Sequence, residues 1–279
     1  MRAMRREGAA VVVLLVTALA GAFFACGTDA DLEKARRGEG NDFDEQLAAA
    51  DGAYEDAISF LDDGEIGSFD GQFPSEDEIA DGTDQCVCTG PDAGVLGGAL
   101  IACQDANAAL RQQLNDMRVL GARLEGAGNA DRTEATRSRD NAATIVDTVI
   151  PQLRNLVTAA FNQGRITAAQ RDQMMTDLNT AAGKFNDAKD RFETARTRAA
   201  SCVSNAQTSQ TRGQEGLDAL NQCPPDVATA RAKARAGALA GLNGTLALVE
   251  AGTAIDQGRA KAREGHPLVR GVLDGLRSR

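Results

Sequence analysis

Met174, Leu178, Ala181, Phe185, Ala188, Phe192, Ala195, Ala199 and Cys202 recur at alternating steps of four and three residues. An ideal α-helix repeats every 3.6 residues. An apolar stripe held at 3.5 stays on one face only when helices wind slightly around each other. A strand cannot present such a stripe, because its side chains alternate with a period of two. The pattern restricts the chain to long, close-packed helices. It is repeated by Leu96, Leu100, Cys103, Asn107, Leu110, Leu114, Met117, Gly121 and Leu124, and again by Ala135, Ala142, Val146, Val149, Leu153, Leu156 and Ala160. A further seam holds Ala228, Ala232, Leu239, Leu242, Leu246 and Val249, with Gly237, Gly241 and Gly244 between them. Glycine weakens a helix by about 1 kcal/mol per residue, so these three are expected where helices approach closely.

Breaks in the pattern set the expected boundaries. Gly126-Ala127-Gly128-Asn129 separates the Leu96–Leu124 seam from the one that starts at Ala135. Pro151 removes the hydrogen bond to the Asp147 carbonyl and predicts a bend. Gln163-Gly164-Arg165 ends a helix, and Thr167-Ala168-Ala169-Gln170 offers a capping box for the next. The apolar positions thin between Ser204 and Gly216, where Gly213 and Gly216 predict a turn. Pro224-Pro225 is a firm stop, and Pro267 is expected to open a short last helix. Upstream, Phe43, Leu47, Ala50, Tyr54, Ile58 and Leu61 describe one amphipathic helix. The reading is an all-α fold: an up-down bundle of four long helices and a short one over 92–279, behind a largely disordered acidic tether over 26–91 carrying one short helix.

Charge divides the chain in the same place. Residues 27–92 hold twenty Asp or Glu against three basic residues, whereas 93–279 hold twenty-four Lys or Arg against nineteen acids. The acids from Asp62 to Asp84 read as a solvated loop rather than a calcium site, since their order matches no EF-hand loop. Phe161, Phe185 and Phe192 are the only Phe, Tyr or Trp residues beyond Phe73. With neither clustered basic residues nor stacking rings, binding of nucleic acid or sugar is not expected.

The first residues have the grammar of an export signal. Arg2, Arg5 and Arg6 precede an uncharged run from Ala9 to Ala25, which ends at Ala25-Cys26-Gly27. Cysteine after a small residue at that point resembles the lipobox of bacterial lipoprotein precursors, although Phe23 stands where that family usually carries Leu. The resemblance covers only this segment. It implies a signal peptide over 1–25, acylation of Cys26, and a lipid-anchored extracytoplasmic protein of the bacterial cell envelope. Two other readings stay open. Ala20-Gly21-Ala22 fits an ordinary secretory cleavage that would release a soluble protein, and the uncharged run is at the short limit for an uncleaved spanning helix. Gly52 to Leu61 also resembles part of a tetratricopeptide repeat, but no second copy follows, so a lone helix is expected.

Cys86, Cys88, Cys103, Cys202 and Cys223 suit an oxidising compartment and are the disulfide candidates. A turn within 204–216 would let Cys202 bond Cys223, leaving Cys103 for Cys86 or Cys88. One unbroken helix there would part Cys202 from Cys223 by roughly 30 Å and forbid that bond. His266 is the only histidine, so no two-histidine zinc site can be assembled, and no nucleophile elbow accompanies it for a Ser-His-Asp triad. Beside Pro267 it reads as a surface residue at a helix entry. No catalytic residue, metal ligand or cofactor is called for. The expected function is a structural or protein-interaction role, with other envelope proteins or a second copy as partner. The alternative is a carrier holding an apolar compound between helices lined by Ala and Gly.

Overall fold

The computed structural model describes residues 41–61, 64, 66–85 and 105–278, and among these it is helical with no strand. Helix α1 spans Asn41–Ile58 and runs into a 3-10 turn, Ser59–Leu61. Helix α2 spans Ala108–Thr144, a π-helical turn follows at Ile145–Val149, and α3 spans Ile150–Asn162. Helices α4, Ala168–Leu220, and α5, Val227–Arg277, are the longest. Each extends about 80 Å by the rise of an α-helix. The rod has three legs. The α2–α3 leg runs up, α4 returns, and α5 runs up again, so the up-down bundle read from the seams is the observed fold.

Three expected breaks are absent. Gly126 to Asn129 lies inside α2, Ser204 to Gly216 lies inside α4, and Pro267 lies inside α5 rather than at its start. Four long helices and a short one are therefore replaced by three long legs. Small residues explain the first two. A Cβ on Gly213 would lie 2.7 Å from the Leu114 carbonyl oxygen, and one on Gly128 would lie 2.9 Å from Cys202 Sγ. These glycines bring α2 and α4 together and do not turn the chain. Pro267 is exposed, and the residue whose carbonyl it frees, Arg263, is exposed as well. Water can satisfy that oxygen, so the helix continues.

Pro151 does distort its helix. With no N–H for the Asp147 carbonyl, the preceding turn widens, and the Ile150 N–H donates to the carbonyl of Ile145. At the expected cap, Thr167 Oγ1 accepts from the Gln170 N–H at 3.3 Å while Gln170 Oε1 accepts from the Thr167 N–H at 2.9 Å. The next helix is capped by Asp226, whose carboxylate accepts from the Thr229 N–H at 2.9 Å.

The acidic segment packs where a solvated tether was expected. Helix α1 lies at the end of the rod that holds the α3–α4 turn, burying Phe43, Leu47, Tyr54 and Ile58. Residues 64 and 66–85 are irregular, as expected of a loop, yet they form a strap along the groove between α2 and α5. Phe60 meets the Phe192 ring edge-on at 5.5 Å, Phe73 seals against Gly241, and Ile79 joins the core near Leu110. At the far end Thr83 and Asn107 exchange hydrogen bonds of 2.8 and 3.1 Å. The charge asymmetry now has a structural reason. Asp51 meets Arg270 and Arg277, Asp70 meets Arg123, Glu76 meets Arg235, and Asp81 meets Arg231. Most of these acids are solvent-exposed, so each pair contributes little and the buried rings hold the strap.

Candidate functional site

Two features of this rod stand out: a buried polar cluster at its middle and an exposed apolar stripe on α5. The cluster sits where the strap crosses α2. Asp131 is fully buried, and its Oδ1 accepts the Gly67 N–H at 2.5 Å, while Oδ2 has no hydrogen-bond partner. Burial pushes the Asp131 carboxyl up to about 6, against the Gly67 bond, with Asp256 and Glu134 adding to the rise. One turn along, Arg259 reaches across from α5 and donates to Glu134 Oε1 and to the Gly64 carbonyl, both at 3.0 Å. The Ser138 hydroxyl also donates to Glu134. The cluster joins α2, α5 and the strap, and gives no open face to a substrate. Gly67 is required there: a Cβ would lie 2.2 Å from the Ala127 carbonyl oxygen. Among the described residues no group of three His, Cys, Asp or Glu is placed to hold a metal ion.

Cys202 lies beside this cluster as a buried free thiol, which overturns the expected Cys202–Cys223 bridge. The reason is the unbroken α4, which runs from Cys202 on to Leu220 before the turn that holds Cys223. At the helical rise this parts the two cysteines by roughly 30 Å. The Cys202 Sγ points at the Leu124 carbonyl at 3.7 Å, and burial pushes the thiol up to about 11, with the Asp131 charge adding to the rise. Cys202 is a packing residue, protonated at neutral pH. Cys26, Cys86, Cys88 and Cys103 lie outside the described residues. His266 is also corrected. It stands inside α5, half-buried, with Nδ1 2.8 Å from the Tyr54 hydroxyl and the two rings stacked at 5.7 Å. Burial holds the Tyr54 phenol well above its ordinary range.

The stripe on α5 is the feature that the sequence patterning placed on the wrong side. Leu239, Leu242, Leu246 and Val249 were read as a core seam, but they are 61, 43, 59 and 61 % exposed. The glycines between them face inward instead. Gly241 receives the Phe73 ring, Gly244 receives Leu124, and Gly237 lies against Met117 and the Ser209 carbonyl. Both faces of α5 have heptad spacing, and the face with less side chain is the one that fits the narrow gap to α4 and α2. The exposed seam extends at the same alternation through Ala228, Ala232 and Arg235 on one side, and Thr253, Asp256 and Ala260 on the other. Val119 on α2 is the other large apolar residue left exposed among those described.

The space between helices is occupied. Phe185 fills the gap at Gly265, Phe192 that at Gly258, and Leu114 that at Gly216. A hollow of about 520 Å³ lies at the surface, lined by Gln72, Phe73, Pro74, Gln113, Asp116 and Leu120 among others. No family model matches the chain, and no curated protein or solved structure matches it either.

Proposed function

We propose that the chain is a lipid-anchored extracytoplasmic protein of the bacterial envelope with a structural or protein-interaction role, and not an enzyme. The exposed leucine stripe on α5 carries this reading. Monomeric proteins seldom leave a contiguous row of large apolar side chains in water, and such rows mark association surfaces. The rod form supports it as well, because a bundle with legs of this length presents long faces. The carrier alternative needs apolar space between Ala- and Gly-lined helices, and Phe185, Phe192, Phe73 and Leu114 fill that space. The anchor rests on the Arg-apolar-Ala25-Cys26 series, and replacing Cys26 by Ser should release the protein from membranes or block its processing.

The same compartment favours a disulfide at Cys223, with Cys86, Cys88 or Cys103 as partner. Of the two cysteines among the described residues, only Cys202 is a free thiol. Thr83 and Asn107 are joined to each other, and the Arg111 guanidinium donates to Leu220 O and Asn221 Oδ1 at 2.8 and 2.9 Å. The described chain on either side of 86–104 therefore ends near the turn that holds Cys223.

A photo-reactive residue in place of Leu246 tests the interaction reading in cells. Irradiation is expected to give discrete protein adducts on the membrane fraction. Absence of any protein adduct, with the protein folded and present, would overturn it.

A further inference from the structure

We propose that the α5 stripe pairs with the same stripe of a second copy in antiparallel orientation; this rests on the interaction reading above and names the partner. The order of residues along the exposed seam carries the argument. From Ala228 to Ala260 the outward positions are Ala228, Ala232, Arg235, Leu239, Leu242, Leu246, Val249, Thr253, Asp256 and Ala260. Their four-three spacing is symmetric about Gly244. Turning one copy end for end about that level sets Leu242 opposite Leu246, Leu239 opposite Val249, and Ala228 opposite Ala260. The large side chains meet in the middle layers and the small ones at both ends, which lets two helices close along the whole seam.

Charge selects this orientation. Arg235 flanks the apolar residues on one side and Asp256 on the other. In a parallel pair each would face its own copy, placing two guanidinium groups together and two carboxylates together. In the antiparallel pair Arg235 lies one turn from Asp256 of the other copy, and the two-fold axis makes that pair twice. Arg235 is available for it, since its contact with Glu76 is long, at 3.8 Å, and its side chain is 47 % exposed. Like charges inside a seam penalise the wrong register, and opposite charges fix the right one.

The seam is about 48 Å long by the rise of an α-helix. The four apolar side chains form a patch on the order of 400 Å², the scale of a functional apolar surface. Two such patches give on the order of 800 Å², and flanking Ala, Thr and charged residues on both copies extend the contact toward the roughly 1,200 Å² at which specific interfaces begin. The contact is isologous, so it terminates in a dimer and does not propagate. A lipid surface fits this face less well. The stripe is bordered by the Arg198–Glu250 pair and by Lys233 with Glu215, whose charges would have to leave water.

Cysteine cross-linking on membranes holding the full-length protein tests the pairing. Ala228→Cys and Ala260→Cys are made separately, then expressed alone and together, treated with a short bis-maleimide, and mapped by mass spectrometry of the linked peptides. The expected product is a 228–260 link between copies in the mixture, at least tenfold above any 228–228 or 260–260 link. Adding Leu242→Glu with Leu246→Glu should remove that link tenfold or more while leaving helicity and melting temperature unchanged, because both residues are exposed. A dominant 228–228 link would overturn the orientation, and no 228–260 link would overturn the self-pairing. Adducts at Leu246 only to a different protein would then leave the interaction reading standing. Adducts to no protein would end both.

Discussion

Replacing Asp131 by Asn should make the protein more stable at neutral pH and should weaken its dependence on pH between 4 and 7. Asp131 lies under the strap with one oxygen bonded to the Gly67 N–H and the other unpartnered. Its folded-state carboxyl titrates at about 6, mainly because burial disfavours the charged form, against an ordinary value of 3.8. The folded state thus holds this proton more tightly than the unfolded chain does. The stabilisation is complete below about pH 4 and is lost as pH rises through 6. At about 1.36 kcal/mol per unit, the loss by pH 7 has a ceiling of about 3 kcal/mol. Asn keeps an acceptor for Gly67, puts an N–H₂ where the unpartnered oxygen stood, and carries no charge to bury. Urea denaturation of both proteins at pH 4 and pH 7 measures the effect. The variant should gain about 1–3 kcal/mol over the parent at pH 7, and the gap should close to within about 0.5 kcal/mol at pH 4. A gap of equal size at both pH values would refute the reasoning, as would a variant less stable at pH 7.

Phe185→Ala and Phe192→Ala should each cost about 3–5 kcal/mol, because both rings are fully buried against glycines of α5. Thermal melts decide this, and an unchanged melting temperature in both would contradict the packing. Gly213→Ala should destabilise by about 1–3 kcal/mol although Ala favours a helix, since the new methyl meets the Leu114 carbonyl in a neighbouring backbone that cannot swing aside. A more stable variant would mean that α2 and α4 lie further apart than described.

Much of the fold was legible because helix periodicity is local. The seam from Met174 to Cys202 specified a long supercoiled helix, and Phe185 and Phe192 are buried as that seam requires. The capping box at Thr167 and the stop at Pro224-Pro225 lie where their chemistry puts them, since caps and proline act within one turn. The α-helical up-down bundle follows from those residues alone.

Other features depended on what each residue faces across the gap. Gly126, Gly128, Gly213 and Gly216 carry the composition of turns, and they end up within α2 and α4. For Gly128, Gly213 and Gly216 the reason is that a neighbouring helix occupies the room a side chain would take. The strap reads as a solvated acidic loop until Arg123, Arg231 and Arg235 are placed along the groove that receives it. The α5 stripe shows the limit most clearly. Its leucine seam and its glycine seam share one period, and periodicity fixes the helix without saying which face turns inward. Only the distance between packed legs decides that, and here the legs are so close that the glycines go inside and the leucines remain in water.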